Sequence, residues 1–157
     1  MRQDARERCA DRAAGGPSFA MQDFNRLRVW RKAHAFALNA RRLSRGWPRE
    51  YASLRAQLVR ASESIPTNIV EGCARTSQKE FAHFLQIAIS SSTEAEYHLR
   101  LARDHGVLGP RAWHLATTEV CDIRRMLSGL AKKVRTTMLS RQLSRAADSG
   151  HTDSGTR

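Results

Sequence analysis

Glu80 and His83 stand three residues apart, the spacing with which helical bundles hold paired iron or manganese ions. Such a centre needs a second Glu-x-x-His and further carboxylates on facing helices. No second Glu-x-x-His occurs in the 157 residues. Ser77 also offers Glu80 a different task, the return bond of a capping box. No metal site is therefore expected. Cys9, Cys73 and Cys121 are isolated, with no Cys-x-x-Cys spacing and no histidine arrangement that would activate a thiol. An odd, sparse set fits reduced cytosolic thiols better than a disulfide framework. His34, His98 and His114 read as half-buried helix residues. With no nucleophile, no phosphate loop and no cofactor pattern, the sequence points away from an enzyme.

Positive charge is the chemistry that remains. The chain carries 27 Lys and Arg against 15 Asp and Glu, a formal net charge of +12. Residues 1–23 are balanced and residues 136–157 nearly so, which leaves the excess on 24–135, where a fold can fix it in space. Such a surface attracts polyanions and gains from counterion release. Arg28, Arg31, Lys32, Arg42 and Arg45 make the best patch on the first helix, if its Leu27/Trp30/Ala37 side faces inward. Arg124, Arg125, Lys132, Lys133 and Arg135 form a second cluster. Contacts of this kind position a nucleic-acid backbone without reading its sequence. An ordinary solvated face and a protein-docking surface are the competing readings. No zinc finger, RNP aromatic pair or GXXG loop names a nucleic-acid module. Trp30, Phe81, Phe84 and Trp113 could stack bases, but their helical spacing beside aliphatic residues predicts core packing. Trp47 and Tyr51, near a loop, are expected at a subunit boundary.

The elements that must carry these groups are helical throughout. Asn25 is the expected cap of a helix over about 25–45, with Leu27, Trp30, His34, Ala37, Leu38 and Arg41 as one stripe. Gly46 and Pro48 end it. A second helix runs from about 49 through Leu54, Leu58, Ala61 and Ile65 to Glu71, with Gly72 as terminator. Pro66 removes a backbone donor inside it and predicts a kink. Asn68 and Glu71 lie just beyond; pairing with Arg60 or the third helix would fix the bent geometry, and a binding role for Glu71 is the alternative. Ser77 and Glu80 open a third helix that ends near His105-Gly106, and Pro110 opens a fourth. Each is about 20 residues or more, roughly 30 Å long. Short connections predict an all-α, antiparallel up-down-up-down four-helix bundle. Residues 1–23 read as a disordered leader, with Met21 as an alternative translation start. Residues 136–157 read as a helix extension followed by a disordered tail. No run of eighteen apolar residues predicts a membrane span.

The sequence resembles the four-helix bundle proteins of the S23, or 23S rRNA intervening-sequence, family. The matching features are Phe24-x-x-Leu27-x-Val29-Trp30-x-x-Ala33, Leu54-x-x-Gln57-Leu58-x-Arg60-Ala61 and Ser64-Ile65-Pro66-x-Asn68-Ile69-x-Glu71-Gly72. Arg75-x-Ser77-x-Lys79-Glu80-Phe81-x-x-Phe84-Leu85 follows, then Ala88 to Glu94 and Ile123-x-x-Met126-Leu127-x-Gly129-Leu130. In order they span nearly all of 24–135. Ser62, Glu63 and Ser90 depart from the pattern. The resemblance implies a cytoplasmic helical bundle whose relatives assemble as ring-shaped pentamers. More distantly, the chain is similar to the accessory proteins of diversity-generating retroelements, which implies basic pentamers that bind nucleic acid and a reverse transcriptase. The expectation is a non-enzymatic homo-oligomer that takes RNA or DNA through backbone phosphates, without cofactor. The alternative is an oligomeric protein-interaction scaffold.

Overall fold

The computed structural model describes residues 23–149. Four helices, α1 (Arg28–Ser44), α2 (Ala52–Cys73), α3 (Gln78–Asp104) and α4 (Pro110–Ser149), follow one another with short connections. α1 packs on α2 and α4, and α3 packs on α2 and α4; among the described residues the backbones of the diagonal pairs make no close approach. That is the up-down-up-down bundle. The α2–α3 seam is the most extensive and the α1–α4 seam the thinnest. Phe36, Leu58, Ile65, Ile69, Phe81, Leu85, Leu99, Ile123 and Leu127 fill the centre.

Several local expectations change. Asn25 does not cap α1. It sits in a 3-10 turn over Phe24–Arg26, where Asp23 Oδ1 accepts from its backbone N–H at 3.0 Å. α1 then starts after Leu27 with no side-chain cap. Its buried face is Val29, Ala33, Phe36, Ala37 and Ala40, whereas Leu38 is 44% exposed and His34 and Arg41 face solvent. The inward face is thus rotated from the Leu27/Trp30/Leu38 stripe, because alanines at Ala33 and Ala40 let α1 approach its neighbours around Phe36. Trp47 is buried in the core and not at a boundary.

α2 continues as one element through Pro66, which is itself buried. The missing proline donor leaves the Ser62 carbonyl without its helical partner. Around it, side chains bond back one turn: Ser62 Oγ to Leu58 O at 2.7 Å, Thr67 Oγ1 to Glu63 O at 2.8 Å and Asn68 Nδ2 to Ser64 O at 2.8 Å. Gly72 does not terminate α2, which runs on to Cys73. It is a close-approach glycine, facing the start of α3. At the far end of α3, Gly106 does take the left-handed conformation, with φ of 74°. There the Val107 N–H donates to Ala102 O at 3.0 Å and turns the chain toward α4.

Ser77 caps α3 by accepting from the Glu80 N–H at 3.2 Å. The Glu80 carboxylate accepts from the Ser77 hydroxyl at 2.8 Å, so the return bond reaches the cap's side chain and not its backbone. α4 runs past Arg135 as the expected helix extension and reaches Ser149. The leader expected over residues 1–23 lies, apart from Asp23, outside the described residues, as does the tail from 150. Among the described residues no helix is long and apolar enough to cross a membrane.

Candidate functional site

The rotation of α1 turns its outer edge toward α2 and opens a trench between them. Leu38, Arg41 and Arg42 come from α1 and Arg45 from its C-cap; Arg55, Ala56, Val59, Arg60, Glu63 and Thr67 come from α2. The opening holds about 960 Å³. Small or short side chains at Ala56 and Val59 leave room above the helix contact, so the arginines rise as two walls over an apolar floor.

Five guanidinium groups line this trench against one carboxylate, Glu63. Glu63 is bonded to Arg41, and Arg60 donates to Gln57 on its own helix. Arg42, Arg45 and Arg55 have no acidic partner among the described residues. Their charge is free to meet an anion from outside. Besides the arginines the lining offers Glu63 and the hydroxyls of Ser44, Ser64 and Thr67. These hydroxyls bond to Ala40 O, Ser91 Oγ and Glu63 O, so no hydroxyl there is paired with a basic side chain.

The remaining candidates separate. Arg28 and Arg31 are exposed and Lys32 half-buried at the start of α1. Asn39 Nδ2 donates to Glu119 Oε2 at 3.2 Å, and the antiparallel register this sets brings the start of α1 beside Gly129 and Leu130 of α4. Lys132 and Lys133 follow on the next turn, exposed. The three candidate arginines of α4, Arg124, Arg125 and Arg135, are engaged within the molecule. Arg124 donates to Glu96 on α3 and to the Cys121 sulfur at 3.4 Å; the Glu96 bond is the main reason its guanidinium holds its proton even more firmly than usual. Arg125 pairs with Asp122 at 2.8 Å, and Arg135 donates to Gln86 Oε1 of α3 at 3.1 Å.

Pro66, Asn68, Glu71 and Gly72 do not converge on a ligand. Asn68 bonds Ser64, whose hydroxyl lies 2.9 Å from that of Ser91 on α3. Glu71 lies 3.8 Å from Arg75, not near Arg60. Arg75 in turn covers the Phe84 ring at 4.7 Å, and Arg103 covers Trp113 at 4.3 Å, which removes two aromatic rings as stacking platforms. Among the described residues no three His, Cys, Asp or Glu side chains are grouped to hold a metal ion. Sequence reasoning missed Arg41, Arg55 and Arg60 as members of one site. A face drawn through Val29, Ala33, Phe36 and Ala40 would have put Leu38 and Arg41 outside and pointed to them.

Fold and surface together define a basic four-helix bundle with an arginine-lined trench between its first two helices. The chain belongs to the 23S rRNA-intervening sequence protein family, which it matches over residues 25–129. Its backbone is similar to the crystal structure of a protein of unknown function from the S23 ribosomal protein family of Bacteroides thetaiotaomicron. That similarity has a TM-score of 0.62 at 22% identity, over 66% of this chain and 98% of the other. At that identity the likeness concerns the fold alone. No curated protein matches the chain.

Proposed function

We propose that this protein is a non-enzymatic, cytoplasmic basic bundle that binds RNA or DNA through backbone phosphates. The observation that carries the reading is the trench: arginines on both walls, three of them without an acidic partner among the described residues. Guanidinium forks match phosphate geometry and stay charged at any physiological pH. Arg28, Arg31, Lys32, Lys132 and Lys133 extend the field toward the other end of the bundle, while Arg124, Arg125 and Arg135 serve internal contacts. Assembly into a ring, as the resemblance implies, would repeat the trench and multiply weak contacts by avidity. Titration of the full chain against labelled structured RNA and duplex DNA at two salt concentrations tests this. Binding that falls steeply with salt, and falls further in the Arg42→Glu/Arg45→Glu variant, is expected. No binding at low salt would overturn it.

A second reading, an oligomeric scaffold for a protein such as a reverse transcriptase, has its own support. Tyr97, Leu115, Leu139 and Leu143 are large apolar side chains left 57–73% exposed on α3 and α4. Side chains of this kind suit a protein contact. Solution mass of the full chain, with and without Leu139→Glu/Leu143→Glu, measures whether they join subunits.

A further inference from the structure

We infer that the α1–α2 trench takes one extended single strand of nucleic acid and not a duplex; the inference rests on the phosphate-binding reading above. The argument is the shape of the charge. Arg42 and Arg45 stand on one wall and Arg55 and Arg60 on the other, with Leu38 and Val59 between them. Packed helices lie about 8–10 Å apart, so the furrow between them admits a single chain. A duplex presents its phosphates on a convex cylinder, with grooves of about 6–12 Å, and would rest on the rims, meeting one wall at a time. A strand lying lengthwise can be flanked from both sides at once. At about 1.5 Å of rise per residue, Arg55 and Arg60 stand roughly 7.5 Å apart along α2 and Arg41 and Arg45 roughly 6 Å apart on the facing wall, spacings suited to successive phosphates of an extended strand.

The floor adds a second discrimination. Leu38 is 44% exposed, and no aromatic ring lines the trench. Apolar contact from Leu38 and Val59 would take sugar and base edges without preferring any base, while guanidinium planes can stack on bases exposed by unpairing. The occupant is therefore an unpaired, sequence-tolerant segment such as a loop or a strand end.

The test uses the full chain and one labelled mixed-sequence oligonucleotide, presented single-stranded and as its own duplex, by fluorescence anisotropy at low and moderate salt. The expected result is binding of the single strand at least about tenfold tighter than the duplex, a difference of about 1.4 kcal/mol. Val59→Trp fills the floor without changing charge and should remove most of that preference, while leaving the weaker duplex binding in place. Circular dichroism and thermal melting confirm that the variant is folded; Leu38→Trp, at a more exposed position, serves if it is not. Equal or tighter binding of duplex, or an unchanged preference in the folded floor variant, would overturn the inference while leaving phosphate capture intact. Absence of binding to either form at low salt would overturn both.

Discussion

Gly72 on α2 faces Phe81 on α3 so closely that a Cβ on the glycine would stand 2.9 Å from Phe81 Cδ2 and 3.0 Å from Phe84 Cβ. Phe81 is buried, and Phe84 Cβ is fixed to its backbone, so neither contact yields by a simple rotation. Gly72→Ala gains about 1 kcal/mol of helix propensity. It loses about 1–3 kcal/mol through overpacking. The clash wins because the Cβ would meet a buried ring and a backbone-anchored Cβ in the most extensive seam of the bundle. Net destabilisation of up to about 2 kcal/mol by chemical denaturation is expected, and a stabilised variant would show that α2 and α3 separate freely here.

Arg124 and Glu96 join α4 to α3 with both side chains mostly covered, at 29% and 22% exposure. Arg124→Gln should cost about 1–2 kcal/mol, in the range of hydrogen bonds to charged groups. Its effect on oligonucleotide affinity should be small beside that of Arg42→Glu/Arg45→Glu. An equal loss of affinity in both would return Arg124 to the binding surface.

Glu63 is the single carboxylate lining the trench, and it holds Arg41. Glu63→Gln removes the negative charge and frees the guanidinium. Affinity for a polyanion should rise about two- to fivefold at low salt, with a steeper salt dependence. Weaker binding would mean that the pair shapes the trench more than it neutralises it.

Cys73 is buried, and burial, with a smaller contribution from the negative charge of Asp23, pushes its thiol from 9.0 up to about 11. A group whose folded pKa is raised stabilises the fold below its unfolded pKa. That contribution is lost as pH rises through the folded value. The unfolding free energy should therefore fall more steeply between pH 9 and 11 in the native chain than in Cys73→Ala. Parallel slopes would refute the burial argument. At pH 8 the folded thiol should resist alkylation that Cys73 of the unfolded chain undergoes readily.

What could be read from the sequence was local. The start of α3 needs only Ser77 and Glu80, its end only Gly106, and the start of α4 only Pro110, so each is set within a turn of itself. The face of α1 was not local. Leu38 is large and apolar and drew the inward stripe over His34 and Arg41, all three exposed. Trp30 packs only at the margin of the core, and the true core face is built from Val29 and alanines around Phe36. Small residues carry little hydrophobic signal, yet they decide where helices come closest. The trench depended on that choice and on the pairing of Arg41 with Glu63, 22 positions away on the next helix. The fate of Arg124 likewise hung on Glu96, 28 positions away. Charge counted along a chain does not say which cations are already bonded.

The uneven seams of the bundle set an order of opening. α2 and α3 share the broadest contact, while α1 is held on one side by the narrowest. Amide hydrogen exchange should accordingly be fastest among the core helices in α1, as a sub-global release that leaves α2, α3 and α4 paired. α1 is also one bank of the trench. Anything that grips both banks would tie the loosest helix to the firmest part of the molecule, so occupancy would be written as slowed exchange along α1, with little change elsewhere.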